Sequence, residues 1–97
     1  DEIASVKGID VLLVGTNDLC MEMGIPGQFN HPKVKSSYEK VIKACNNNDI
    51  LPGMGGVYET SLMHEYINLG MKFVLCGSDL SFLMQAATDR VNDLRNG

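Results

Sequence analysis

The chain has 97 residues, of which 44% are hydrophobic and 21% are charged, and its formal net charge is -4. This composition is typical of one soluble globular domain, and the length excludes a second domain. The acidic balance argues against a nucleic-acid partner, because no segment collects enough Lys or Arg to neutralise several phosphates. The apolar runs are too short to span a membrane, so we expect no membrane partner.

The cysteines and the N-terminus indicate where the protein resides. Cys20, Cys45 and Cys76 lie among apolar neighbours and show no metal-type spacing. We therefore predict three reduced thiols and no disulfide, as is usual in the cytosol. The first residues, DEI, contain neither a start Met nor a signal-peptide pattern. The sequence thus predicts a cytoplasmic protein and a segment of a longer chain.

The first predicted elements are a helix end and a strand. Residues 1–7 have the composition of the last turns of a helix, and Gly8 is placed to end it. Residues 9–14 are apolar except for Asp10. A continuous apolar run of this length predicts a strand that is covered on both faces, as in a parallel sheet.

An ordered loop and a helix follow. Residues 20–30 mix Gly and Pro with apolar side chains, which predicts a loop that includes one short helical turn. His31 and Pro32 open a helix, because Pro is favoured near the first helical position. Apolar side chains recur on one face of this helix as far as Cys45. The run NNND at 46–49 predicts its end.

Two more strand and helix pairs complete the chain. Residues 50–54 predict a short second strand that Pro52 weakens, and residues 73–76 predict a third strand. Residues 58–69 predict a helix with an inner face of Leu62, Met63, Tyr66 and Ile67. Residues 80–94 predict an amphipathic helix. The order βαβαβα predicts an α/β protein with parallel strands in right-handed units.

Polar residues follow the first strand at once, since Gly15 is succeeded by Thr16, Asn17 and Asp18. A carboxylate at the carboxyl end of a buried strand lies where α/β proteins place their active sites. A cap or turn role explains the same residue, and it is the commonest role of an Asp in this position. On the pattern alone, both interpretations of Asp18 are open.

Short motifs occur in a fixed order along the chain: VGTNDL at 14–19, MG at 23–24, HPKV at 31–34, LPG at 51–53, LGM at 69–71 and GSD at 77–79. Each motif alone is weak, but the set is specific. In this order the motifs resemble the carboxyl-terminal part of the HpcH/HpaI aldolase family. The resemblance covers nearly the whole chain and implies that residues 1–97 are a partial domain, namely strands 6 to 8 of a (β/α)8 TIM barrel.

The resemblance also implies a chemistry, that of metal-dependent pyruvate aldolases and of enolate-forming lyases that start from oxaloacetate. Asp18 is then a ligand of Mg²⁺ or Mn²⁺, with Co²⁺ as a further candidate. Backbone N–H groups of Asn17 and Asp18, beside Gly15, hold the carboxylate of a small 2-oxo acid. Thr16 and Asn17 depart from the residues usual in the family. Gly55 stands where an aliphatic side chain often faces the substrate, which implies a roomier pocket.

Other parts of the family's active site belong to strands before Asp1. These are the second metal carboxylate, the catalytic His and a substrate-binding Arg, so no catalytic residue is expected within this chain. The resemblance further implies a homo-oligomer in which the helix at 80–94 packs on a neighbour. Two alternatives are open: a non-catalytic fragment or interaction module, because three βα units cannot close a barrel, and a small flavodoxin-like binding domain.

Several other polar residues have structural explanations. His31 is predicted to be structural and His64 to be solvated. Asp79 is predicted to cap the last helix, with Ser78 as the alternative cap. Residues 52–56 are predicted to line a pocket with backbone rather than to cradle a phosphate, because the Lys-Ser/Thr of a phosphate-binding loop is absent.

Overall fold

The computed structural model describes residues 2–97, so Asp1 lies outside the described residues. The predicted alternation of parallel strands and helices is confirmed, with one additional helix. The elements are β1 (Val11–Gly15), α1 (Thr16–Glu22), α2 (Pro32–Asn47), β2 (Leu51–Gly55), α3 (Thr60–Leu69), β3 (Phe73–Val74) and α4 (Asp79–Asn96).

The three strands form one parallel sheet in the order β1-β2-β3. Val11 pairs with Leu51 at one end of β1, and Gly15 pairs with Gly55 at the other, so the two strands end at the same edge. Strand order follows chain order without reversal. The flavodoxin-like alternative is therefore wrong for the described residues, because that fold needs a switch point where the strand order reverses.

Strand β2 is central although it contains Pro52. Proline is usually confined to strand ends because it cannot donate to a neighbouring strand. Pro52 is the second residue of β2, and it serves the sheet through its carbonyl, which accepts from the Lys72 N–H at 2.9 Å. The pairing of β2 with β3 begins one residue later, at Gly53 and Phe73. The expected weakening by Pro52 is thus limited to the start of the strand.

Helices cover one face of the sheet. Their shared core contains Val34, Tyr38 and Ile42 of α2, Leu62 and Tyr66 of α3, and Met54 of β2. The four-residue and three-residue spacings that predicted these helices also place these side chains inward. Ile67, predicted on the inner face of α3, is 44% exposed, because it follows buried Tyr66 and is rotated about 100° from it around the helix.

The opposite face of the sheet is open. Leu13, Leu51, Phe73 and Leu75 are between 42% and 48% exposed. Gly53 lies on this face, because a Cβ built on it would contact Leu13 and Phe73. The prediction that the first strand is covered on both faces is therefore wrong for residues 2–97, since every helix that packs on the sheet within this range packs on one side.

The helical ends agree with their capping signals. Helix α2 begins where the His31 Nδ1 accepts from the Lys33 N–H at 3.0 Å, and Asp49, just beyond its end, has a φ of 58°. At α4, the predicted order of caps is reversed. Ser78 is the N-cap and forms a reciprocal pair with Ser81, whereas Asp79 accepts from the Leu80 N–H at 2.8 Å.

The structure differs from the predictions at two further segments. Residues 2–8 form turns, so the predicted helix end is wrong over the described part. Ile3 and Val6 are exposed there, and a short helix without packed apolar side chains is not stable in water. Residues 16–22, by contrast, form α1, which was not predicted and which overlaps the start of the loop predicted at 20–30. Buried Cys20 anchors this helix to the core.

Helix α4 extends away from the rest of the fold. None of its residues is buried, and Leu83 and Leu94 are 67% and 76% exposed. The radius of gyration is 16.3 Å, compared with about 12 to 13 Å for a compact domain of this length. Among residues 2–97, no helix is both long and apolar enough to cross a membrane.

Candidate functional site

The four residues predicted to bind substrate or metal lie at one edge of the sheet. Gly15 and Gly55 are the last residues of β1 and β2 and pair with each other. Asn17 and Asp18 follow Gly15 in the first turn of α1. The carboxyl ends of parallel strands are where α/β folds bind their ligands. The structure thus brings together the residues that the sequence pattern singled out, while their roles stay predictions.

The Asp18 side chain is exposed and is not used as a cap. Gly15 is the N-cap residue of α1, and no side chain makes a capping hydrogen bond there. The interpretation of Asp18 as a capping residue is therefore wrong. Its carboxylate turns back toward the strand end, since a Cβ built on Gly15 would lie 3.6 Å from Asp18 Oδ2. The carboxylate oxygens are left available to a ligand.

Thr16 supports the site through a contact with α2 that the sequence did not predict. It is fully buried, and its hydroxyl is hydrogen-bonded to the hydroxyl of Tyr38 on α2. Tyr38 was predicted only as an apolar member of the inner face of that helix. The two residues are 22 positions apart. No local pattern joins such a pair, so only the fold reveals that α2 holds the first residue of α1.

Gly56 is the second missed residue, and it supports the same turn from the other side. Its φ is 87°, and a Cβ built on it would lie 3.4 Å from the Asn17 backbone nitrogen. The left-handed conformation and the close backbone approach both favour glycine. The backbone of residues 52–56 was predicted to line a pocket; at Gly56 the neighbouring backbone is the first turn of α1.

The buried ionisable groups near this edge are held neutral. Burial raises the pKa of the Cys20 thiol. Burial also raises the pKa of Tyr38, and the hydrogen bond between Tyr38 and Thr16 opposes this shift. For Tyr66, burial raises the pKa to about 12. A raised thiol pKa disfavours the reactive thiolate, so Cys20 does not have the properties of a nucleophile.

The donor set fits a hard divalent cation in part. Such ions prefer carboxylate oxygens, and Asp18 presents one exposed carboxylate at the strand edge. Within residues 2–97, no three His, Cys, Asp or Glu side chains come together in a metal-binding group. A cation held by Asp18 would therefore need at least one more protein ligand from outside this range, or a ligand oxygen from substrate or water.

The remaining polar candidates lie elsewhere. His31 caps α2 and His64 is exposed on α3, as predicted. Pro52 and the glycine after it are buried within β2 rather than in a loop, so they form no phosphate cradle.

A separate cleft of about 410 Å³ is present beside the start of α4. It is lined by Tyr58, Cys76, Gly77, Ser78, Ser81, Phe82 and Gln85.

Comparisons with known proteins place the chain in a family. The profile described as HpcH/HpaI aldolase/citrate lyase matches residues 1–86. A 4-hydroxy-4-methyl-2-oxoglutarate aldolase of Chaetomium globosum is 42% identical over 92% of this chain and 34% of its own length. An enzyme of the same description from Hapsidospora irregularis is 37% identical with the same coverage. The chain thus spans about a third of the length of these relatives.

A solved structure gives the same result. The crystal structure of an HpcH/HpaI aldolase from Desulfitobacterium hafniense matches with a TM-score of 0.81 and 29% identity, over 96% of this chain and 36% of that one. The agreement extends over the whole sheet and its helices. With the profile match, it confirms the resemblance drawn from the short motifs. This chain belongs to the HpcH/HpaI aldolase/citrate lyase family.

Proposed function

We propose that this chain is the carboxyl-terminal part of a (β/α)8 barrel that catalyses carbon-carbon bond cleavage. In this assignment β1, β2 and β3 are strands 6, 7 and 8 of the barrel. The parallel order β1-β2-β3 supports it, because consecutive barrel strands are neighbours. The open apolar face of the sheet supports it as well, since the interior of a closed barrel is filled by such side chains.

The proposed reaction is cleavage or formation of a 4-hydroxy-2-oxo acid through the enolate of pyruvate, or decarboxylation of oxaloacetate to the same enolate. The single observation that carries this proposal is the carboxylate of Asp18 at the carboxyl edge of the sheet, which is exposed and makes no capping hydrogen bond. Family membership supports the reaction class. The relatives from Chaetomium globosum and Hapsidospora irregularis are both described as aldolases of 4-hydroxy-4-methyl-2-oxoglutarate, which is a 4-hydroxy-2-oxo acid.

Each residue at the edge has a proposed role. Asp18 holds a divalent cation through a carboxylate oxygen, and the second protein carboxylate comes from outside residues 2–97. Backbone N–H groups of Asn17 and Asp18 donate to the substrate carboxylate. Gly15 and Gly55 leave room for the 2-oxo acid above the strand ends. When bound, Mg²⁺ or Mn²⁺ supplies positive charge that stabilises the enolate oxygen.

Metal removal tests the proposal. Treatment of the full-length protein with a chelator should abolish cleavage of 4-hydroxy-4-methyl-2-oxoglutarate and decarboxylation of oxaloacetate. Addition of Mg²⁺, Mn²⁺ or Co²⁺ should restore at least one of these activities, because stabilisation of the negative enolate oxygen by a bound cation is worth several kcal/mol. Pyruvate release, followed with a coupled dehydrogenase, is the measurement. Full activity in a protein shown to be metal-free would refute the proposed chemistry.

We also propose that the apolar stripe of α4 packs on a second copy of the protein. The stripe consists of Leu80, Leu83, Met84, Ala87, Val91 and Leu94. Its leucines are at least 65% exposed, and apolar surface of this kind on a single helix marks an interaction site. The helix-swapping homo-oligomer implied by the family resemblance supplies the partner.

Charged substitutions in this stripe test the proposed homo-oligomer. The double substitution Leu83→Asp and Leu94→Asp should convert the full-length oligomer to a monomer, because two charges would be buried without partners. Asn96→Asp, on the face of α4 away from the stripe, is the control and should leave the assembly intact. Light scattering coupled to size-exclusion chromatography measures the mass. An oligomer that survives the double substitution unchanged would exclude α4 from the interface.

The alternative function, a non-catalytic interaction module, is favoured by one observation. Within residues 2–97, Asp18 belongs to no group of three or more His, Cys, Asp or Glu side chains that could hold a metal ion. If the chain acts alone, it should bind a protein partner through its open sheet face and show no turnover. Catalysis by the isolated 97-residue chain would exclude this alternative. Activity only in the longer protein would mean that this segment contributes to a site that the rest of the protein completes.

A further inference from the structure

The buried hydrogen bond between Thr16 and Tyr38 is unusual in its surroundings. Both side chains are fully buried, and the core around them consists of aliphatic side chains, Cys20, methionines and Tyr66. Within residues 2–97, every buried side-chain nitrogen or oxygen has a hydrogen-bond partner. Each hydroxyl would lose its partner if the other moved, and an unpaired buried hydroxyl is costly. The pair is therefore a directional constraint between α2 and α1.

This constraint acts on the turn that carries Asp18. Thr16 is the first residue of α1 and follows Gly15, the last residue of β1. Its position fixes where the chain leaves the sheet and thus the direction in which Asn17 and Asp18 project. On the other side, Gly56 lies against the backbone of Asn17. The turn is held between Gly56 and the hydroxyl pair.

Tyr38 is itself held firmly. Its ring packs on the ring of Tyr66, with centroids 4.5 Å apart and planes inclined at 56°. This tilted arrangement is one that aromatic pairs favour. The Tyr66 hydroxyl has a different task, because it donates to the Phe29 carbonyl in the loop before α2. The two tyrosines share one aromatic contact, but only the hydroxyl of Tyr38 reaches the turn.

Apolar packing alone would not supply such a constraint. A valine and a phenylalanine at these positions would have nearly the same shapes and would bury no polar atoms. Hydrophobic contacts tolerate small shifts, whereas a buried hydrogen bond depends on distance and angle. The hydroxyl pair therefore specifies the position of the turn more narrowly than the apolar core does.

We propose that Thr16 and Tyr38 are positioning residues that set the Asp18 carboxylate and the Asn17 and Asp18 N–H groups for cation and substrate binding. This inference rests on the proposed function. Neither residue touches substrate in it. Groups that orient metal ligands are typically worth roughly tenfold or more in metal affinity, and we expect an effect at the lower end of that range because Thr16 acts through the backbone.

The test compares hydroxyl deletions in the full-length protein. Tyr38→Phe and Thr16→Val should each weaken Mn²⁺ binding about tenfold, measured by electron paramagnetic resonance of free Mn²⁺. Thr16→Ser, which keeps the hydroxyl, should restore binding to within about twofold of the original affinity. In the metal-free protein, amide hydrogen exchange of Cys20, whose N–H bonds to the Thr16 carbonyl in an α-helix, should become faster in the two deletion variants and remain slow in Thr16→Ser.

Tyr66→Phe is the matched control. It removes a hydroxyl from the other member of the same aromatic pair, and each tyrosine substitution should lower the Tm by a few degrees. Mn²⁺ affinity and amide exchange at Cys20 should nevertheless change only in Tyr38→Phe. Equal effects of the two substitutions on Mn²⁺ affinity would reduce Tyr38 to a structural residue and overturn the inference. If Asp18→Ala also left Mn²⁺ binding unchanged, the proposed site itself would fail.

Discussion

Replacement of Asp18 by alanine is expected to lower kcat/KM of the full-length protein by about a thousandfold or more. The cation would lose a carboxylate ligand, and the loss of several kcal/mol of charge stabilisation corresponds to a factor of this size. The fold should be unaffected, because Asp18 is exposed and makes no capping bond in α1. Asp18→Asn, which keeps the shape and removes the charge, should be nearly as inactive.

Glu22→Ala provides the control for Asp18. Glu22 is an exposed carboxylate on the same short helix, at its last residue, and thus away from the strand edge. Its loss should change kcat/KM by less than about twofold, as expected of a surface substitution with no ligand to lose. Pyruvate release at several Mn²⁺ concentrations measures both variants. Metal-dependent turnover that persists undiminished in Asp18→Ala would remove this carboxylate from the mechanism.

Much of the fold was predictable because its signals are local. The apolar spacing of α2, the Pro32 start and the Asn-rich end placed that helix almost to the residue. The apolar run of β1 and its polar continuation placed Asp18 at a strand end. Helix α1 was not predicted, since Thr, Asn and Asp favour both turns and helix starts. Its stability comes from buried Thr16 and Cys20, which is tertiary information.

The open face of the sheet shows what a sequence pattern does and does not specify. Leu13 and Val14 are both apolar, and such a run predicts burial on two sides. Val14 packs against the helices, whereas Leu13 is 47% exposed. The apolar run thus predicts that other side chains bury Leu13, but residues 2–97 do not contain them. In the proposed barrel, side chains of the other strands bury Leu13.

The sequence singled out only part of the candidate site. Asp18 and Asn17 were singled out because a polar cluster directly follows a strand, and Gly55 because it falls in the family register; their roles stay predictions. The contact between Thr16 and Tyr38 could not be predicted, since it depends on how α2 crosses the sheet. Residues that bind are often marked by local chemistry, whereas residues that position them are marked by contacts between distant segments.

Two glycines of β2 should respond very differently to the same substitution. A Cβ on Gly53 would lie 2.9 Å from the Phe73 carbonyl oxygen and 3.2 Å from the Phe73 Cβ. The obstacle is the backbone of β3, so the two strands must separate or shift. Overpacking in a core costs about 1 to 3 kcal/mol, and a clash with a strand backbone belongs at the upper end or above it. We therefore expect Gly53→Ala to lower the free energy of unfolding by about 3 kcal/mol or more.

Gly55 lies two residues further along the same face of β2, and its neighbour is a side chain. A Cβ there would meet Leu75 Cδ1 at 3.0 Å, and this methyl group is the far end of a side chain that can adopt another rotamer. The clash is thus cheap, and alanine also reduces the entropy of the unfolded chain. Gly55→Ala should change the free energy of unfolding by no more than about 0.5 kcal/mol, and it should leave less room in the proposed pocket.

Urea unfolding of the two variants in the full-length protein measures the difference. Because both substitutions add one methyl group to a buried glycine in the same strand, hydrophobicity and chain entropy nearly cancel in the comparison. What remains is the nature of the obstacle, a backbone carbonyl in one case and a flexible leucine in the other. Equal stabilities of Gly53→Ala and Gly55→Ala would mean that β2 and β3 are not as close as their pairing requires, and the assignment of β3 as the next strand of a barrel would fail with it.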